Sequence, residues 1–190
     1  MARSVEFGRR YNVPIIVKST FTNNKGTVVK EKTMEEAIVS GVTHNDKEVK
    51  FTLFGVPDQP GIAGTVFGSL SEIGTNVDMI VQNVSKESIT DISFTAPSEQ
   101  QKDVEDTLKN ISKQLDAKGY DVDENIARIS IIGAGMKSES GVASKMFKTL
   151  GDNKINISMI STSPIRVSCV ISSNDIEKAL NVLHEEFITN

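Results

Sequence analysis

The stretch Pro57-Asp58-Gln59-Pro60-Gly61 sets a carboxylate just ahead of Ile62, Ala63, Val66, Phe67, Leu70 and Ile73, which fall at helical spacing. A helix start gathers unpaired backbone N–H groups where the dipole favours an anion, and a nearby carboxylate accepts from a cation. Asp58 with the amides that follow it therefore suits a small molecule carrying an anion and an ammonium on neighbouring atoms, and Gly61 and Ala63 keep the approach open. The same residues also fit a plainer role, with Asp58 as a helix cap and Gly61 as a turn glycine. Gln82 shares a strand with Asp78 and Ile80, and its amide can bond a ligand hydroxyl.

Other chemistry finds little support. Gly133-Ala134-Gly135 begins like a dinucleotide fingerprint, but Ser138 stands where the third glycine belongs, and Met136 separates Gly135 from Lys137-Ser138, which breaks a phosphate-loop pattern. His44 and His184 have no carboxylate or cysteine at ligand spacing, so neither a metal site nor a catalytic dyad is expected. Cys169 is the single cysteine and cannot form an intrachain disulfide. A net charge of −4 gives no electrostatic footprint for nucleic acid. No apolar run is long enough for a membrane span or a targeting segment, so a cytoplasmic protein is expected.

The elements that position these groups come twice. Gly55, Gly61, Ala63, Phe67, Leu70, Asn76, Met79 and Ile80 recur at Gly135, Gly141, Ala143, Phe147, Leu150, Asn156, Met159 and Ile160, each 80 positions on. In the first copy a strand over 49–56 leads to a helix ended by Gly74, then strands over 76–82 and 89–96, and a helix whose start carries a Ser98/Gln101 capping box. The second copy repeats the order with a strand over 127–133, a helix over 140–151, strands over 156–161 and 165–172, and a final helix capped by Asn174 and Glu177. Two helices on one face of an antiparallel sheet make an α+β sandwich of ferredoxin-like (βαββαβ) topology. Residues 1–32 contain a short apolar strand over 13–17 and too few apolar residues for a core of their own, while 35–43 reads as either a strand or a linker.

These residues carry a family resemblance. The run Phe51-Thr52-Leu53-Phe54-Gly55-Val56-Pro57-Asp58-Gln59-Pro60-Gly61, the run Asn76-Val77-Asp78-Met79-Ile80-Val81-Gln82-Asn83, Gly133 to Ser138, and Ile160-Ser161-Thr162-Ser163 together resemble the regulatory region of aspartate kinase. The resemblance implies two ACT domains in tandem, the first (48–120) inserted into the second (34–47 plus 121–190), with 1–33 resembling the end of the catalytic domain or a linker. It further implies end-product feedback inhibition of aspartate phosphorylation, a homodimer through the ACT domains, and a catalytic kinase domain or subunit as partner. ATP and Mg would bind that catalytic domain, so no cofactor and no catalytic residue is expected here.

By the family's side-by-side pairing, Asp58, Gly61, Ile62, Ala63, Gly64 and Gln82 would form an effector pocket closed by Asn156 and Ile157, a composition that suits threonine. Ile62 and Gly64 depart from residues frequent in relatives, which alters pocket size rather than the ring of backbone donors. A pseudo-symmetric second pocket would set Met136, Ser138, Val142 and Ala143 against Asn76, Val77 and Asp78, with Ser161, Thr162 and Ser163 nearby. Ser138 has lost the acceptor that Asp58 supplies, and Asp78 would serve the distal ammonium of lysine; the other reading is a vestigial site that only buttresses the dimer. An alternative to the kinase assignment is a free-standing ACT-type amino-acid-binding module.

Overall fold

A computed structural model of the chain describes residues 2–22, 24–29, 38–83, 88–137 and 139–189. Two compact units emerge, Met1–Ala37 and Ile38–Asn190. The first holds a helix absent from the sequence expectation, α1 (Ala2–Arg10), and a two-stranded antiparallel sheet of β1 (Ile15–Val17) and β2 (Thr27–Val29). Phe7, Tyr11, Val17 and Phe21 stay exposed, as a segment too poor in apolar residues for a core requires.

The second unit contains both copies. Its elements are β3 (Gly41–Asn45), β4 (Glu48–Pro57), α2 (Ile62–Glu72), β5 (Ile80–Gln82), β6 (Ile89–Pro97), α3 (Gln101–Gln114), β7 (Gly119–Asp123), β8 (Ile126–Ile132), α4 (Val142–Asp152), β9 (Met159–Ser163), β10 (Arg166–Ser172) and α5 (Ile176–His184). They build two antiparallel sheets of equivalent order, β5-β6-β4-β7 and β9-β10-β8-β3. β3 precedes the whole first copy yet pairs with β8, taking the place in the second sheet that β7 takes in the first. β7 also carries the first sheet to Asp123, beyond the expected boundary at residue 120. Of the stretch read as strand or linker, 35–37 lies outside the described residues and the strand begins only at Gly41.

Several local expectations are corrected. β5 and β9 begin at Ile80 and Met159 rather than at the asparagines before them. Neither capping box forms: Ser98–Gln100 is a 3-10 turn without a side-chain cap, and the helical path into α5 is held instead by Ser172, whose hydroxyl accepts from Asn174 N–H. Alternation along the strands does sort the faces as read. Phe51, Leu53, Ile92 and Phe94 pack under α2 and α3, while Ile129, Ile131, Val167, Cys169 and Ile171 pack under α4 and α5. Phe94 stacks on Phe51 with ring centres 5.4 Å apart and takes the edge of Phe67 at 5.7 Å.

The sheet faces that turn away from the helices meet each other around Met79, Ile126, Met159 and Val170, a third buried cluster that draws on both copies. Two short turns carry the chain from one sheet to the other, β3 to β4 past Asn45 and β7 to β8 past Asn125, which are themselves 80 positions apart. Gly133, which suggested a nucleotide fingerprint, has a packing reason: a Cβ there would collide with the Ile38 carbonyl and the Val39 Cα. Gly133→Ala should therefore cost about 1–3 kcal/mol and lower Tm by roughly 3–10 °C in a thermal melt. An unchanged Tm would show that the backbone at Ile38 moves aside freely.

Candidate functional site

The Asp58 loop runs from the end of β4 to the start of α2. Asp58 is half-buried and its N–H donates to the Ser88 carbonyl at 2.9 Å, fixing the loop against the entry to β6. Gly61, not Asp58, is the cap of α2: it takes φ 98°, a conformation that favours glycine, and among the described residues no side-chain cap bonds the helix start. The plainer role for Asp58 as the cap of this helix is thereby removed. Ile62 packs on the first core and anchors the turn, while Ala63 and Gly64 are exposed, with first-turn N–H groups that have no partner inside a helix. A Cβ at Gly61 or Gly64 would meet nothing within 4 Å, so the approach to these amides is open. The second copy repeats the device, with Gly141 at φ 98° capping α4.

The remaining expected contacts are distributed between the sheets. Gln82 is exposed on β5, an edge of the first sheet. Asn156 is exposed and Ile157 half-buried on the second core, just before β9, an edge of the second sheet. The chain thus groups Asp58, Gly61, Ile62, Ala63 and Gly64 on one loop and holds Asn156 and Ile157 on the other sheet. In the second set, Val77 packs on the first core, whereas Met136, Val142 and Ala143 pack on the second. Ser161, Thr162 and Ser163 are exposed on β9 and line a cleft of about 270 Å³ with Ile165 and Arg166. Ser138 lies outside the described residues.

Asp78 differs most from expectation, because its carboxylate is already engaged. One oxygen receives Arg128 Nη1 and the other Arg166 Nη2 at 3.4 Å. Arg128 also reaches Glu48 Oε1 with its second nitrogen at 2.8 Å, and Asn45 Nδ2 donates to that same oxygen at 2.7 Å. Glu48 and Arg128 side chains are only 6% and 10% exposed, so the pair is truly desolvated. Among the described residues Glu48 Oε2 has no hydrogen-bond partner. A cleft of about 370 Å³ opens beside the cluster, lined by Asn45, Glu48, Asn76, Asp78, Ser98 and Arg128 among others.

Burial raises the Glu48 pKa above its ordinary value, reinforced by the Asp78 charge and opposed by Arg128 and the donors Asn45 and Thr95. Sequence reasoning missed Glu48, Arg128 and Arg166. The available signal was a single cation, Arg128, in the strand Ile126–Ile132, whose other residues are apolar except Ser130. Among the described residues no group of His, Cys, Asp and Glu could hold a metal, and no helix is long and apolar enough to cross a membrane.

Comparison with known proteins agrees with the two-copy fold. One ACT domain model matches residues 50–116 and a second matches 129–187. The aspartate kinase of Pseudomonas fluorescens SBW25 is 44% identical over 188 residues, covering 97% of this chain and 46% of its own length. The crystal structure of aspartokinase alpha and beta subunits superposes with a TM-score of 0.74 at 38% identity, covering 78% of this chain and 98% of the matched one. The ligand-free regulatory subunit of aspartate kinase from Thermus thermophilus gives a TM-score of 0.75 at 35% identity, covering 79% and 99%. Fold and family models thus define a pair of tandem ACT domains. The chain belongs to the aspartate kinase family, as its regulatory ACT region. It spans just under half the length of the curated relatives it matches.

The Glu48 environment has a definite pH consequence. A raised folded-state pKa means that folding favours the protonated carboxyl, so the stability this group contributes is full below its unfolded pKa and is lost as pH rises through the folded value. Urea unfolding across pH 4–7 should therefore show the wild type losing stability relative to Glu48→Gln as pH rises. A difference that does not change with pH would contradict this assignment.

Proposed function

We propose that this chain senses end-product amino acids for an aspartate kinase in the cytoplasm, binding threonine in the Asp58 loop and relaying feedback inhibition to a catalytic kinase domain or subunit. The observation that carries the reading is the Asp58 loop itself, where a half-buried carboxylate with no capping duty stands beside an open helix start. Threonine matches it group for group: the ammonium goes to Asp58, the carboxylate to the first-turn amides of α2, and the hydroxyl to Gln82.

Asn156 and Ile157 would close the pocket from the partner protomer of a homodimer. Two unpaired edges support that pairing, since β5 and β9 both end their sheets and expose Ile80 and Ile160. Lysine is the candidate for the pseudo-symmetric pocket of Met136, Ser138, Val142 and Ala143 against Asn76, Val77 and Asp78. There its distal ammonium must share Asp78 with Arg128 and Arg166, which makes threonine the stronger half of the proposal.

Calorimetric titration tests the reading. Asp58→Ala removes a charge-assisted contact worth roughly 1.5–3 kcal/mol, so threonine affinity should fall about ten- to hundredfold. Because Gly61 caps the helix, the melting temperature should hardly change. Threonine affinity equal to wild type in Asp58→Ala, or no threonine binding by the wild type, would overturn the proposal.

A further inference from the structure

A shared landmark lets the two copies be compared residue by residue. The Thr52 and Ser93 hydroxyls meet at 3.0 Å across β4 and β6, and those of Ser130 and Ser168 meet at 2.7 Å across β8 and β10, each pair directly opposite in register. Counted from these pairs, Gly55 stands at the place of Gly133, and Asp91 at the place of Arg166. Just beyond them the copies diverge, on the approach to the Asp58 loop.

In the second copy the ladder runs unbroken to Ile132 opposite Arg166, and the Gly133 N–H then donates to the Ile165 carbonyl at 3.0 Å. A 3-10 turn, Ala134–Lys137, leads on towards Gly141. In the first copy the register shifts between Leu53 and Val56, so that Phe54 and Gly55 together oppose the single residue Asp91. Gly55 takes φ 63°, as the extra residue of such a bulge requires, and its buried N–H donates to Asp91 Oδ1 at 2.8 Å.

The extra residue reverses the alternation of faces along β4. Phe51 and Leu53 face the helices and Phe54 is exposed, yet Val56 is buried in the first core beside Val66 and Leu70 of α2. An unbroken strand would put Val56, and Asp58 after it, on the face of Phe54 instead. With the bulge, Asp58 continues the ladder through its bond to the Ser88 carbonyl and falls on the side where α2 lies.

We propose that Asp91 is a positioning residue for the effector site: its bond to Gly55 holds the bulge, and the bulge turns Asp58 towards the first-turn amides of α2. The inference rests on the threonine reading above and adds to it the part that aims its carboxylate. Arg166, in the matching place of the second copy, offers no acceptor and reaches Asp78 instead.

Calorimetric titration with threonine reads the latch. Asp91→Ala should lower threonine affinity about tenfold, the smaller end of the loss expected for Asp58→Ala, because Asp58 is misplaced rather than removed. Asp91→Asn keeps an oxygen acceptor for the Gly55 N–H and should stay within about twofold of wild type. Since Asp91 acts through Asp58, the double variant Asp58→Ala/Asp91→Ala should bind no more weakly than Asp58→Ala alone. Wild-type affinity in Asp91→Ala, an Asp91→Asn variant as weak as Asp91→Ala, or a double-variant loss equal to the product of the single losses would each overturn the proposal.

Amide exchange resolved by NMR tests the latch without ligand, which separates its failure from that of the threonine reading. In Asp91→Ala the Gly55 and Asp58 amides should lose protection by about tenfold or more, while those of Phe51 and Leu53 keep theirs. A wild type that binds no threonine overturns the effector role together with the reading beneath it, and unchanged protection at Gly55 overturns the latch itself. Should Asp91→Ala fail to fold, Asp91→Ser, whose hydroxyl stops a bond short of the Asp91 Oδ1 position, takes its place with the same expectations.

Discussion

One guanidinium, that of Arg128, governs how the two halves of this protein sit together. It is almost fully desolvated and divides its nitrogens between Glu48 and Asp78, two carboxylates of the other copy. Removing a single partner from such a pair leaves an uncompensated buried charge, typically costing about 3–5 kcal/mol. The geometry is accordingly restrictive. It fixes the crossing turn at Asn45, whose side chain bonds the same Glu48 oxygen, and it fixes the segment Asn76–Asp78 that leads into the edge strand β5.

Duplication supplies the frame around that contact. Each copy buries one sheet face under its own two helices, and the other face is covered only when the second copy stacks on it. β3 and β7 then complete each other's pattern, because the strand that closes the second sheet lies upstream of the first. The arrangement leaves β5 and β9 as edges with the helix-start loops free, so the surfaces that could take a ligand are those the internal packing does not consume.

Much of this was legible in the sequence, for physical reasons that can be named. Alternation in Val49, Phe51 and Leu53 and helical spacing in Val66 and Leu70 are local patterns, and they locate the cores correctly. The gapless offset made the second copy readable from the first. Capping was less legible: Asp58, Ser98 and Asn174 all have the right side chains, but the backbone gave the cap of α2 to Gly61 and led into the other two helices through 3-10 turns. Asp78 was read as a free acceptor because its partners lie 50 and 88 residues away, and a long-range ion pair leaves no local spacing to detect. Gly133 likewise owes its identity to a neighbouring backbone rather than to a motif.

The central claim is that an amino acid bound at the Asp58 loop is completed by residues of the other ACT copy. Amide hydrogen exchange of the wild-type chain, with and without saturating threonine, tests it most directly. The account predicts that segments 58–64 and 156–157 gain protection together at the same threonine concentration. Protection confined to 58–64, or absent from both segments, would contradict it.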